Sequence, residues 1–272
     1  MAPILPVPVA IDQCGAILTG GSHFTFTGGS GHVIRRQEKS VVKRYADHLR
    51  QALTDSHELA ERFDEPGFPH AQLELLQDWQ RRRLANSYQD LISQERYRAA
   101  GDFFLAELYG GLNFRERDQQ MERVLPVMVR MLREDMLLAL AEAFELQSLS
   151  LSLDMDMTAA LHQSGWDELN TDRYGEIYRI CGRPLERERQ IELIGHLGLE
   201  LNELVHHRLV MFLIRTLRGP ARAAGFGLLQ SFLEQGLRAF QIMGDGTYFI
   251  ETIWNKEEKI MRRLFAGDKK PF

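Results

Sequence analysis

Apolar residues recur at helical spacing from about Arg35 to Phe265, which predicts a succession of amphipathic helices. Val41, Val42, Tyr45, Leu49, Leu53 and Phe63 make the first stripe, closed by Glu65-Pro66-Gly67. Pro69 opens a second helix, with Leu73, Leu76, Gln80, Leu84, Tyr88 and Leu91 on or near one face and Trp79 flanking it. In the next segment, at ~100° per residue, Tyr97, Gly101, Phe104 and Leu108 share a narrow stripe, and Gly101 leaves room for a neighbouring helix. Gly110-Gly111 ends that segment, and Asp118 is placed to cap the next helix, which carries Met121, Val124, Leu125, Met128, Met131 and Leu132. Pro126 inside it predicts a kink or a displaced start.

The helix from about Asp135 to Leu161 differs from the others. Leu137, Leu140, Phe144, Leu151 and Met155 form one apolar face, and Leu138, Leu146, Leu149, Leu153 and Met157 form another roughly opposite, the pattern of a helix between two layers. Leu149 to Met157 also alternates strictly, which is the strand period. Helix is favoured because both flanks are helical and the chain offers no partner strands for the ladder hydrogen bonds. A shorter helix fits between Gly165 and Gly182, a long one from Pro184 to Leu217 before Gly219-Pro220, and two more at about Ala221–Met243 and Thr247–Phe265.

Residues 1–34 lie outside this periodicity. Pro3, Pro6 and Pro8, then Gly20-Gly21 and Gly28-Gly29, read as a flexible Gly/Pro-rich arm, and residues 267–272 as a frayed tail. The apolar start lacks a basic leader and is broken by prolines, so a signal peptide is not expected. No run reaches the ~18 apolar residues of a spanning helix. Of 272 residues, 44% are hydrophobic and 26% charged, an ordinary globular mixture. A formal charge of -5 supplies no field for nucleic acid or an anionic membrane, and Arg81-Arg82-Arg83 reads as a solvated helix face. Cys14 and Cys181 are far apart, which fits a reducing, cytoplasmic setting. The glycines of the arm lack a Gly-Lys-Ser/Thr ending and so make no phosphate loop.

Candidate chemistry concentrates between residues 192 and 207. Glu203-Leu-Val-His206 is a Glu-x-x-His of the kind found in di-iron bundles, but such a site needs a second copy and two further glutamates, and the chain has no second copy. Glu192, His196, Glu200, Glu203 and His207 fall within about 80° of one helical face and are candidate ligands for Zn²⁺ or Fe²⁺. Leucines occupy the opposite side, so the same stripe is also what the wet face of an amphipathic helix looks like. Haem ligation would draw on His162, His196, His206 or His207. Arg208 falls among the leucines of this continuous helix and would need a carboxylate, with Glu142, Glu145, Asp154 and Asp156 as candidates. Cys181 carries no nucleophile signature, there is no Gly-x-Ser-x-Gly elbow, and Asp245 in Gly-Asp-Gly reads as a turn residue.

The segment Tyr97-Arg98-Ala-Ala-Gly101-Asp102-Phe103-Phe104-Leu105-Ala-Glu107-Leu108-Tyr109-Gly110, continued by Phe114, Arg117 and Asp118, resembles an uncharacterised bacterial family described only as a domain of unknown function. The likeness extends over roughly residues 40 to 266 and carries no catalytic residues with it. The expectation is an all-α fold, a single helical bundle of about eight or nine helices spanning residues 35–266. Two function classes stay open. One is a cytoplasmic interaction or scaffold protein, working as a homodimer or with a protein partner through faces such as Leu209 to Ile214. The other is a metal- or haem-binding enzyme or sensor centred on Glu192 to His207.

Overall fold

The computed structural model describes residues 30–107 and 134–272. Lys39–Phe272 form one compact unit; Met1–Glu38 are a second, of which only the helical residues from Ser30 onward are described. The described residues contain helices and no strand. They are α1 (Ser30–Glu61) with a 3-10 turn at Arg62–Asp64, α2 (His70–Ser87), α3 (Gln89–Ile92), α4 (Glu95–Glu107) and α5 (Glu134–Ser164). There follow α6 (Thr171–Cys181), α7 (Pro184–Leu204), α8 (Arg208–Ala223), α9 (Gly227–Met243) and α10 (Thr247–Phe265). Gly110-Gly111, the Asp118 cap and the Pro126 helix lie outside the described residues.

Helix boundaries follow local chemistry where a special residue sets them. Asn170 caps α6 by accepting the Arg173 backbone N–H at 3.0 Å, and Gly182, at φ +66°, ends it. Pro184 is the first residue of α7. Asp245 accepts from the Thr247 backbone N–H (3.0 Å) and hydroxyl (2.7 Å), forming the turn before α10. The alternating run Leu149–Met157 is helical within α5.

Two of the expected helix boundaries fail. The long helix from Pro184 to Leu217 is two helices, because α7 ends at Leu204 and α8 begins at Arg208. The hydrogen bonds from His206 N to Glu203 O and from His207 N to Leu204 O tighten the last turn, and His207 is then extended (φ -76°, ψ 103°). Pro220 does not stop α8, which runs on to Ala223 before Gly225 turns it at φ +83°.

Four apolar clusters hold the unit together. The first joins Tyr88, Leu91, Tyr97 and Ala100 to Phe240, Met243, Phe249 and Ile250. The second gathers Leu76, Met157, Leu161, Tyr174, Ile177 and Tyr178 against Ile260, Met261 and Leu264. Helix α10 therefore serves both, its start in one and its end in the other. Smaller clusters seat Leu49, Ala52 and Leu53 of α1 on Ala141 and Phe144, and Phe63 and Leu73 on Met155. Helices α7 and α10 cross in close contact. A Cβ on Gly195 would stand 2.1 Å from the Trp254 ring, and one on Gly198 2.9 Å from Ile250, so both glycines are set by contact distance.

Gly101 of the aromatic segment meets Ile92 of α3, where a Cβ would come within 2.5 Å. Phe104 packs edge-on to Phe240 (5.9 Å) and stacks on Phe249 (6.1 Å), while Phe103 rests on Gly236 and Phe232 of α9. That segment is a packing device joining α4 to α9 and α10. The tail expected to fray is packed: Pro271 is buried, and the Phe272 ring lies 5.6 Å from Trp79 and 6.2 Å from Tyr174. Helix α5, within Met136–Ser164, is by length and composition alone apolar enough to cross a membrane, with mean hydropathy 1.3. In this fold it packs against α2, α6 and α7.

Candidate functional site

The acids of α5 find partners on three neighbouring helices. Arg189 of α7 grips Glu145, Nε to Oε1 at 2.8 Å and Nη2 to Oε2 at 3.1 Å, and His48 of α1 approaches from the other side at 3.1 Å. Burial alone would raise the Glu145 carboxyl, but the hydrogen bonds and charge of Arg189, with His48, hold it below the ordinary glutamate value. Arg183 donates to Asp156 (2.6 Å) and to the Ser152 hydroxyl (2.9 Å), and also reaches Glu186 (3.4 Å). Asp154 accepts from Gln80 Nε2 at 3.0 Å, and desolvation pushes its carboxyl up against the pull of Gln80, Arg187 and Gln77.

Arg187, itself buried, points inward beside these acids. It donates to Gln190 Oε1 at 3.2 Å and to the Met157 sulfur at 3.0 Å, and its guanidinium lies 4.6 Å over the Tyr178 ring. Two of the four partners expected for Arg208, Asp156 and Glu145, thus belong to Arg183 and Arg189, and a third, Asp154, is held by Gln80. Arg208 itself, at the start of α8 after the helix break, is exposed. The Arg81-Arg82-Arg83 run is largely engaged: Arg81 pairs with Asp78, Arg82 Nε donates to the Asp78 carbonyl at 3.3 Å, and Arg83 holds Glu257 at 2.5 Å. Glu257 also accepts the Tyr88 hydroxyl at 2.6 Å.

The proposed metal stripe is not gathered into a centre. Glu192, His196, Glu200, Glu203, His206 and His207 are all exposed. Glu203 precedes the end of α7, His206 sits in the turn and His207 immediately precedes α8, so the helix end separates residues that a continuous helix would align. His196 lies edge-on to Trp254 at 5.5 Å, and Glu192 lies 3.7 Å from Arg189. Among the described residues, no group of three or more His, Cys, Asp and Glu side chains is placed to hold a metal ion. His162, the remaining histidine considered for haem, is exposed near the end of α5. Burial raises the Cys181 thiol, with Asp156 adding to it, which leaves a poor nucleophile.

Two grooves and one helix face remain. A groove of about 450 Å³ runs between α1 and α7 over α5, where Arg183 and Arg189 are matched by Asp156, Glu186 and Glu145. A second, of about 560 Å³, lies between α7 and α10 and is rimmed by Glu188, Glu192, Glu251 and Glu258 around Trp254 and Ile191. No Lys or Arg lines it.

The face is the outer side of α8. Met211 is buried, and Val210 and Ile214 pack on the first cluster. Arg208, Arg215 and Arg222 are exposed and recur every seven residues, with Phe212, 62% exposed, between the first two. These three arginines make no ion pair with any described residue, whereas Arg218, further round the helix, pairs with Glu234. Helix α8 contains no acidic residue at all. The apolar period at Leu209 to Ile214 drew attention to this helix, but the informative residues are the ones between the apolar positions.

By architecture this is an all-α helical-bundle protein, with an exposed helix face whose three arginines make no ion pair with any described residue. A family model described as a domain of unknown function (DUF8198) matches residues 60–271, and the chain belongs to that family. The match begins near the end of α1, later than the start near residue 40 that the resemblance suggested. Comparison with curated proteins and with solved structures gave no match.

Proposed function

We propose that this chain is a docking protein of the bacterial cytoplasm, and that its working surface is the outer face of α8. The observation that carries this reading is Phe212, 62% exposed between two arginines that make no ion pair with any described residue. Arginine and aromatic side chains are the residues that anchor protein interfaces, and three guanidiniums spread over about 21 Å of helix ask for acidic groups opposite. An acidic protein surface suits this face better than nucleic acid, because the chain is net negative. It suits better than a bilayer too, because the apolar side of α8 is already turned to the core and Glu145 and Asp156 of α5 are paired inside the fold. Two cysteines in 272 residues support the cytoplasmic setting.

Photo-crosslinking in cells tests the proposal. A photoreactive residue at position 212 is expected to give a discrete protein adduct, and one at exposed Glu176 on α6 is not. Absence of an adduct at 212, or the same adducts from both positions, would overturn it.

A further inference from the structure

The acidic groove and the basic face of α8 carry the same spacing in opposite directions. On α10, Glu251, Trp254 and Glu258 stand at i, i+3 and i+7, and all three line the groove. On α8, reading backwards, Arg215, Phe212 and Arg208 stand at the same intervals, and all three are exposed. Two helices laid antiparallel therefore bring Arg215 opposite Glu251, Phe212 opposite Trp254 and Arg208 opposite Glu258. The charged pairs are each about 10.5 Å apart along their helices, two turns of α-helix in both cases.

We infer that the occupant of the α8 face is a second copy of this chain, whose groove between α7 and α10 receives it in that antiparallel register. This rests on the docking role of α8 and names its partner. Charge complementarity selects the register. Four carboxylates rim the groove, Glu192 held by Arg189 and Glu258 by Arg262 of its own helix, while Glu188 and Glu251 make no ion pair with a described residue; three arginines line the face with no acidic residue in their helix. The aromatic pair sits at the centre of the contact, flanked by the charges, the arrangement in which anchor residues are shielded from water. A shift by one helical turn in either direction breaks both the ring contact and a charge pair, so the spacing favours one alignment.

Sedimentation of the full chain over a concentration series, at low and high salt, tests the inference. Self-association that weakens as salt rises is expected, and Arg215→Glu or Glu251→Arg alone should each weaken it about tenfold or more. The two changes combined in one chain should recover most of the loss, whereas Arg215→Glu combined with Glu176→Arg, away from the groove, should not. Arg208→Glu with Glu258→Arg repeats the experiment at the other pair, should either first variant lose helicity. A chain that stays monomeric to its solubility limit overturns the inference, as does failure of both combined variants to recover association. If crosslinking at position 212 yields a different protein while sedimentation shows only monomer, α8 remains a docking face and the second copy is excluded.

Discussion

Arg189 and Glu145 form a forked pair, two nitrogens on two oxygens, that ties α7 to α5. The folded carboxyl titrates below its ordinary value of 4.5, so the pair stabilises the protein above that value and the contribution is lost as pH falls through the folded one. Both side chains are partly solvated, which limits the effect to about 1 kcal/mol. Glu145→Gln should cost about that much in urea unfolding near pH 7 and progressively less as the pH falls below 4.5 and through the folded value. An equal loss across that range would show that the carboxylate charge is not what matters.

Asp154 should respond in the opposite sense to pH. Its folded carboxyl is raised, so the ionised form disfavours the fold at neutral pH, and this penalty diminishes as pH falls through the folded value towards the unfolded one. Asp154→Ala leaves the buried Gln80 without its acceptor and should cost about 2 kcal/mol in denaturant unfolding. Asp154→Asn keeps an acceptor oxygen and should cost clearly less. Equal losses for the two substitutions would rule out the Gln80 contact as the reason.

Gly195 and Gly175 are both buried helical glycines, yet they should behave differently. A methyl on Gly195 collides with the Trp254 ring, whereas one on Gly175 meets a movable Arg179 nitrogen at 3.2 Å. Gly195→Ala should destabilise by about 2–3 kcal/mol, and Gly175→Ala should fall within about 0.5 kcal/mol of the parent protein. Thermal unfolding of the two variants decides the matter, and similar melting temperatures would mean that α7 and α10 are not in the close contact described.

Arg183 stands in the left-handed region at φ +60°, immediately before Pro184. Replacing it removes its pairs with Asp156 and Glu186 whichever residue follows. Glycine also relieves the backbone, so Arg183→Gly should be more stable than Arg183→Ala by about 1 kcal/mol. Matched calorimetry of the two variants measures that difference, and a more stable alanine variant would contradict the assigned backbone.

Most helices were legible because their apolar positions keep one period between plain stop signals, as at Pro69, Gly182-Arg183-Pro184 and Gly244-Asp245-Gly246. The end of α7 was not, because Leu204, Val205 and Leu209 continue the apolar pattern through the break and neither glycine nor proline marks it. That one error propagated. Counting phase along an unbroken helix turned Arg208 inward and aligned His206 and His207 with Glu203, when the chain in fact redirects at His207. Pro220 misled in the other direction, since α8 continues past it. The acids of α5 were correctly singled out as needing partners, but which arginine met which acid depended on where α7 lies, and periodicity within one helix does not contain that. The groove between α7 and α10 is invisible for the same reason, since Glu188 and Glu258 come from segments seventy residues apart.

The contact between Gly195 and Trp254 has a practical consequence. With the helix backbone pressed against one side of its ring and the groove on the other, the indole has little freedom to turn, and His196 stands at its edge. Its fluorescence is therefore a fixed lamp at the rim of the acidic groove. Anything that enters between Glu251 and Glu258 must displace water from that indole, and the change in emission can be followed in unlabelled protein.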